Sequence, residues 1–457
     1  MSSTPRAKNL VVIVADTFRA DHLGCYGSER IKTPNLDKMA AEGVVFENCY
    51  ADGLPTIPCR RVFHTGRSII PMRRRGGWIP LKEDRITLAE VVQGAGFRTS
   101  FIADTYHHFK PGLNFHKGFD SWEWIRGQEM DPWRSGPESA VDPKAHMPEH
   151  HWNPTYDRHM RQYLLNTRDF DTEDDYFVAK TLDAGLRWME SNAGDGPFML
   201  WLDTFDPHEP WDAPPRFQRM YRDDYGFERY MFGYGVRRQD VRDEDLPIIR
   251  DLYAAEVSFV DDRVGRLLEG MGSLGLLDDT AVLFTTDHGT HLGEEGCLQK
   301  TPGLCNSAVS QLPLLLRLPG SASAGTRVPA LTSAVDLMPG LLELLGIDHE
   351  LRLDGESFVP LIDDPGASIR PHLVTEFERF ACVRDLEWAY LQETTQHGLF
   401  TPEYVAQFSD KMAEGGPGVP HLWDLRADPE EAVNVAADHP EKVEWAQAIL
   451  RATYAGV

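Results

Sequence analysis

Asp16, Asp287 and His288 are hard oxygen and imidazole donors of the kind that hold a divalent cation such as Mn²⁺, Zn²⁺, Ca²⁺ or Mg²⁺. Each comes directly after an apolar run, "NLVVIVA" before Asp16 and "AVLFTT" before the Asp287-His288 pair. One such aspartate alone is usually a helix cap; the "DHG" triplet and the recurrence of the pattern raise the case for a site. A second cluster is "GLPTIPCRRVFHTGR", residues 53–67, which sets Thr56, Cys59, Arg60, Arg61 and Arg67 in a loop-like segment. A thiol is the most nucleophilic of these groups near neutral pH, so Cys59 competes with Thr56 for the role of nucleophile.

These residues need elements to position them. "NLVVIVAD" reads as a strand buried on both faces of a parallel sheet. "TPNLDKMAAEG" is a short helix capped by Thr33 or Asn35 and stopped at Gly43. "TLAEVVQGAGFRTSFIAD" adds helix, turn and strand; "FVAKTLDAGLRWMES" and "PFMLWLDTFDPHEP" repeat the pair. "IIRDLYAAEVSFVDDRVGRLLEGMGSLGLLDDT" is one long amphipathic helix, followed by the strand "AVLFTTDHG". Four strands therefore end in polar groups: Asp16; Asp104; Asp203 with Asp206 and His208; Asp287 with His288. This is the signature of an open α/β sheet with its site at the carboxyl ends of the strands. Two long segments, about 105–175 and 212–245, interrupt the rhythm and are expected to form walls or lids for substrate. Beyond about residue 365 short alternating stretches and a final helix "PEKVEWAQAILRAT" predict a small antiparallel sheet. The expected division is thus a catalytic α/β region 1–365 and a C-terminal α+β subdomain 366–457.

Composition narrows the function. The chain has 46 basic and 71 acidic side chains and a formal net charge of −25, which opposes binding to nucleic acid or an anionic membrane surface. Against this background the arginines 60, 61, 67, 73, 74 and 75 offer a local positive site for a small anionic substrate. No apolar run approaches the roughly 18 residues of a membrane span, and "LVVIVA" is too short and too soon followed by charge for a signal peptide. A cytoplasmic location is expected. The six cysteines lack metal-binding spacing and are expected to be free thiols, mostly packing residues. A homo-oligomer is compatible with these data.

"VVIVADTFRADHLGCYG", "TPNLDKMAAEGVVFENCYA", "PTIPCRRVFHTGR", "DPHEP", "TTDHGTHLGEEG", Lys300 and "HLWDLRADPEEAVNVA" occur in order along nearly the whole chain. Together they resemble the sulfatase family of the alkaline phosphatase superfamily. The resemblance implies a central mixed, mostly parallel sheet flanked by helices, a divalent metal (Mn, Zn or Ca; one or two ions), and hydrolysis of a small anionic ester. The family signature reads Cys or Ser, any residue, Pro, any residue, Arg and, after four more residues, Thr-Gly. Anchored on Thr65-Gly66, it places Arg60 on the arginine, Pro58 on the proline and Thr56 on the nucleophile, leaving Cys59 at a variable position.

The departure is chemical. Family sulfatases use a formylglycine made from Cys or Ser, and threonine cannot supply that aldehyde; a threonine alkoxide is what phosphate-processing relatives use. By the same resemblance Asp16 takes the first metal aspartate, with Thr17 where a second aspartate is usual, and Asp287 and His288 take the "D-[NH]-G" ligands. Lys300 and His208 match the lysine and histidine that contact the transferred anion or protonate the leaving oxygen. The family's "G-K-W-H" segment is "GFRTSFIADTYHHF" here, with Asp104 for the lysine and Tyr106, or His107 after a one-residue slip, for the histidine. Phosphonate monoester hydrolases of the family also use Thr and Tyr in this segment, which adds Thr105 and Tyr106 as substrate-binding candidates. His291 is an additional histidine, as readily a residue behind the ligands as a ligand.

The expected mechanism has the metal lower the pKa of the Thr56 hydroxyl, Arg60 orient it, and Lys300 and His208 neutralise developing charge. A phosphoryl-Thr56 intermediate would then be hydrolysed. The leading expectation is a metal-dependent hydrolase of phosphoric or phosphonic esters. The alternatives are a sulfuric-ester hydrolase working without formylglycine, and a noncatalytic binding protein derived from the fold.

Overall fold

The computed structural model describes residues 5–71, 78–110, 112–236, 238–394 and 418–455, so the arginines at 73, 74 and 75 lie outside the described residues. Strand Asn9–Ala15 shows why the centre forms as it does: all seven residues are buried. Leu10, Val12 and Val14 face one apolar core, and Val11, Ile13 and Ala15 face a second on the opposite side. A period-2 apolar run buried on both faces can sit only inside a sheet covered by helices on both sides. Burying each such side chain contributes about 1.5–3 kcal/mol.

That strand is flanked in parallel by Phe198–Thr204 and Thr280–Thr285. The full sheet has eight strands, in the order 326–333, 44–50, 314–317, 280–285, 9–15, 198–204, 98–103, 121–124. Leu314–Arg317 runs antiparallel to both of its neighbours, which makes the sheet mixed and mostly parallel, as expected. The edge strand Ser121–Trp124 lies inside the first long interruption. Its pattern is inverted relative to a buried strand: Ser121, Trp122 and Glu123 are exposed, so its sequence carries little strand signal.

Helix Leu246–Ser273 spans 28 residues, about 42 Å at the helical rise. It packs against Phe177–Asn192 and Pro34–Ala41. The last of these is not capped by its own Thr33 or Asn35, as the sequence led us to expect. Its free N–H groups instead come from Asn35 and Leu36 to the Asp261 carboxylate of the long helix, at 3.2 and 2.7 Å. The Asn35 side chain also donates to Asp261 at 2.9 Å, and Gly265 lets this contact close: a Cβ there would come within 2.4 Å of Asn35. A carboxylate supplied from a neighbouring helix satisfies the same orphan donors as a local cap.

A second sheet contains Leu373–Phe377, Phe380–Arg384, Trp388–Glu393 and His421–Asp424 in antiparallel order, with helix Pro440–Tyr454 packed on it. Its fifth strand is Gly53–Leu54, which pairs in parallel with Glu376 and Phe377. The C-terminal sheet is therefore fastened directly to the chain that leads into Thr56. Among the described residues no helix is long and apolar enough to cross a membrane.

Candidate active site

Three strand ends converge on one arginine. Asp16 follows strand Asn9–Ala15, Asp203 lies in Phe198–Thr204, and Asp287 follows Thr280–Thr285. Arg60 reaches them from helix Thr56–Thr65, and all four side chains are completely buried. Its Nη1 donates to Asp16 Oδ2 at 2.9 Å and to Asp287 Oδ2, while Nε and Nη2 donate to Asp203 at 3.1 and 2.9 Å. The guanidinium thus holds carboxylates together and has no contact with the Thr56 hydroxyl among its hydrogen bonds, which differs from the orienting role expected for it. A planar fork of five donors suits this geometry, where lysine would offer a point charge.

The charges do not balance. Three buried carboxylates face one guanidinium, and burial drives the Asp287 carboxyl well above the usual range, against the pull of Arg60 and with the push of Asp16. Burial acts on Asp16 too, but Arg60 and His288 outweigh it and hold that carboxyl well below its ordinary value. A divalent cation in this cluster would neutralise the excess, and the donors fit one. His288 Nε2 lies 3.6 Å from Asp16 Oδ1 and 3.4 Å from Asp287 Oδ2, and one donor atom from each residue lies within 4.8 Å of the other two. His288 Nδ1 is 2.8 Å from the Gly289 carbonyl oxygen, so Nδ1 carries the proton and Nε2 presents its lone pair. Burial lowers the His288 pKa to about 3, which keeps the ring neutral, as a ligand must be.

Thr17, at the position of the missing second aspartate, does not leave a gap. Its hydroxyl donates to Asp16 Oδ1 at 2.7 Å and its N–H to Asp287 Oδ1 at 3.2 Å, so it orients both carboxylates. To do so it takes φ = 63°, a conformation β-branched residues rarely adopt. The hydroxyl of Tyr253 fixes this turn by donating to the Thr17 carbonyl at 2.7 Å.

Thr56 is the first residue of its helix and its Oγ1 lies 3.3 Å from His288 Nε2, facing the same nitrogen that the carboxylates face. Cys59, one helical turn on, points into the apolar core between sheet and helices, and burial pushes its thiol well above the ordinary value. It is a packing residue.

A second group stands beside the first. Lys300 Nζ donates to Glu209 Oε1 at 2.9 Å and to His208 Nε2 at 2.5 Å. His208 Nδ1, 2.6 Å from the Glu209 carbonyl, then carries the imidazole proton. Burial, and then Lys300, lower the pKa of His208 and keep the ring neutral. The turn after strand Arg98–Ala103 supplies the remaining wall. Thr105 Oγ1 donates to Asp203 at 3.0 Å, and His107 Nε2 lies 2.8 Å from Glu129 Oε2. Tyr106 receives the ammonium of Lys110 on its hydroxyl. His291 stands apart: its Nδ1 and Nε2 face the Gln299 carbonyl and Asn306 Oδ1 at 2.9 and 3.0 Å, so both nitrogens are engaged behind the site.

A cavity of about 540 Å³ opens beside Tyr106 and is lined by Lys110, Trp124, Arg126, Arg158 and His159, among others. Arg126 is paired with Asp131, whereas Lys110 and Arg158 form no ion pair among the described residues. Sequence reasoning did not assign Asp203, Glu209 or Glu129 to the site. Asp203 was visible as a charged strand end; the two glutamates act through partners that only folding brings near.

Comparison with known proteins follows the same lines. The sulfatase family profile matches residues 8–347, and that of the C-terminal region of N-sulphoglucosamine sulphohydrolase matches residues 293–452. The chain is 24% identical to the N-acetylglucosamine-6-O-sulfatase of Bacteroides thetaiotaomicron, over 97% of this chain and 86% of the relative. It is 25% identical to the multifunctional alkaline phosphatase superfamily protein PehA of Trinickia caryophylli, over 94% and 91%. In structure it matches the phosphonate monoester hydrolase of Agrobacterium radiobacter with a TM-score of 0.74 and 24% identity, covering 97% of this chain and 95% of that one. The mixed sheet, the carboxylates at its strand ends and the family profile over most of the chain agree: this protein belongs to the sulfatase family of the alkaline phosphatase-like superfamily and is an ester hydrolase.

Proposed function

We propose that this enzyme hydrolyses phosphodiesters or phosphonate monoesters through a covalent intermediate on Thr56. The observation that carries the reading is Thr56 itself, whose hydroxyl abuts the ligand set while the neighbouring Cys59 is sealed in the core. A divalent cation held by Asp16, Asp287 and His288 would acidify the Thr56 hydroxyl and draw charge from a nonbridging oxygen of the ester.

The chain's own groups do the rest. Thr56 gives up its hydroxyl proton to bulk water as Oγ attacks phosphorus, and the bond from phosphorus to the ester oxygen breaks. Lys300 and His208 face the departing oxygen, and the Lys300 ammonium, held by His208 Nε2 and Glu209, gives that oxygen a proton, which the attacking water later restores. Water then cleaves the phosphoryl-Thr56 bond and regenerates the hydroxyl. With Arg60 consumed by three aspartates and Asp104 in place of the family lysine, Lys300, beside His208, is a cation that can face the anion. A singly charged diester or phosphonate monoester suits that supply better than a dianionic monoester.

A second reading, sulfuric-ester hydrolysis without formylglycine, is favoured by the names of relatives, which include sulfatases from Bacteroides thetaiotaomicron and Clostridium perfringens. One experiment separates the two. Metal-loaded enzyme is assayed on a phosphodiester, a phosphonate monoester, a phosphate monoester and a sulfate monoester that share one aryl leaving group. A kcat/KM for the first two at least 100-fold above that for the sulfate supports phosphoryl transfer. Preferred turnover of the sulfate, persisting in Thr56→Ala, overturns it.

A further inference from the structure

Away from the active site, His150 and His151 turn their rings toward a single carboxylate oxygen. They are consecutive residues of a short turn, Glu149–His151, in the first long interruption. Their rings stand 4.5 Å apart at 69° to one another. His150 Nε2 lies 2.7 Å from Asp245 Oδ2, and His151 Nε2 lies 3.3 Å from the same atom. His151 is fully buried, Asp245 nearly so, and His150 is 29% exposed.

From these residues we infer a second metal site, distinct from the catalytic cluster, in which His150, His151 and Asp245 bind one divalent transition-metal ion. Two imidazoles and one carboxylate select borderline metals such as Zn²⁺, Co²⁺ or Ni²⁺ over Ca²⁺ and Mg²⁺, which prefer oxygen. Donors about 2.0–2.1 Å from a tetrahedral ion are spaced about 3.3 Å apart. The His151 to Asp245 distance already has that value, and the His150 to Asp245 distance of 2.7 Å needs a widening of about 0.6 Å. Donor atoms of all three residues lie within 4.8 Å of one another, and the exposed side of His150 leaves a path for the ion and a water as fourth ligand.

The surroundings match a ligand set as well. Tyr230 Oη lies 3.1 Å from His151 Nδ1, where it can accept the N–H that a metal-bound ring would present. Such a partner fixes the ring and raises its basicity. Burial, the largest influence on His151, lowers its pKa and keeps the ring neutral. The contributing segments are the first interruption, with His150 and His151, and the second, which carries Tyr230 and ends at Asp245, 95 and 94 residues from the two histidines. One ion would clip both interruptions to the scaffold, and closing loops of such length removes considerable freedom from the open chain.

The test is a metal count on the full-length enzyme. Wild type and His150→Ala are loaded with Zn²⁺, desalted, and analysed by plasma emission. We expect wild type to retain one more equivalent per chain than His150→Ala, and its Co²⁺ form to show d–d absorption beyond that which the catalytic cluster gives in the variant. Tyr230→Phe, which preserves the packing, should weaken binding of that equivalent roughly 10-fold. Retained ester hydrolysis shows that His150→Ala is folded. Equal metal content and identical Co²⁺ spectra in wild type and His150→Ala would leave an ordinary hydrogen-bonded His–Asp cluster and overturn the inference.

Discussion

The Thr56 hydroxyl lies 3.3 Å from Nε2 of His288, so the proposed nucleophile and a proposed metal ligand share one edge of the site. Removing the hydroxyl should therefore abolish turnover without disturbing the fold. Thr56→Ala is expected to lower kcat by at least roughly 10³-fold, while Thr56→Ser keeps measurable activity. Cys59→Ala should leave kcat within a few-fold of wild type, at a modest cost in stability from the lost core volume. Intact mass after a rapid quench should show a phosphoryl adduct on wild type and none on Thr56→Ala. An adduct that remains in the alanine variant would move the nucleophile elsewhere.

Thr17 holds two aspartates at once, through its hydroxyl to Asp16 and its N–H to Asp287. Only the first bond is lost in Thr17→Ala. Loosening one ligand's partner typically costs 10–100-fold in metal affinity, and we expect about 10-fold here, read by competition titration with a chelating dye. Thr17→Gly should bind metal as weakly but unfold no more easily than Thr17→Ala, because glycine accepts φ = 63° without strain. Metal affinity unchanged in both variants would show that the hydroxyl does not orient Asp16.

The α/β class and the strand ends were legible because apolar runs of six or seven residues followed by Asp can hardly be anything else in a chain of this size. Asp16, Asp287 and His288 were legible for the same reason, as adjacent ends of parallel strands. Arg60 was found by motif register, yet its hold on three carboxylates was not, since Asp16, Asp203 and Asp287 are 44, 143 and 227 residues away from it. The cap from Asp261 to Asn35 and Leu36 was hidden in the same way. Local rules look for a capping oxygen nearby, and folding can deliver one from 225 residues away. The strand Ser121–Trp124 escaped because an exposed edge need not alternate.

Arg60 carries more structure than a catalytic residue usually does. Replacing it by methionine leaves Asp16, Asp203 and Asp287 buried without their shared cation, and breaking a buried ion pair on one side costs about 3–5 kcal/mol. Arg60→Met should therefore melt well below wild type when freed of metal. Added Mn²⁺ or Zn²⁺ should restore part of that loss, more than it stabilises wild type, because the ion meets a larger uncompensated charge. Thermal melts with and without metal check this, and an equal metal-induced shift in both proteins would contradict it.

The cavity beside Tyr106 presents two cations, Lys110 and Arg158, without a carboxylate partner among the described residues, and the aromatic residues Tyr106 and Trp124 are part of its lining. In a chain with a net charge of −25, that arrangement favours an ester whose leaving group carries a ring and a second negative charge. Lys110→Met and Arg158→Gln should each raise KM for an aryl ester bearing a carboxylate by several-fold to 10-fold, and change kcat little. The uncharged aryl ester should be nearly indifferent to both. A parallel loss on the two substrates would instead point to a general structural effect.

His64 sits inside the helix that begins at Thr56, fully buried among Phe101, Phe115, Phe119 and Trp201. Burial lowers its pKa to about 3. In the unfolded chain its pKa returns to the ordinary histidine value of about 6.5. Between those values the unfolded state holds a proton that the folded state refuses, so stability must fall as pH drops from about 6.5 toward 3. One such group contributes a slope of about 1.4 kcal/mol per pH unit. His64→Phe removes the group and keeps an aromatic ring against aromatic neighbours, a swap expected to cost less than about 1.5 kcal/mol near pH 7. Denaturant unfolding at pH 4.5, 5.5, 6.5 and 7.5 should therefore show the variant losing stability less steeply on the acid side, by close to one proton. Curves that run parallel for the two proteins would mean that His64 takes up its proton within the fold.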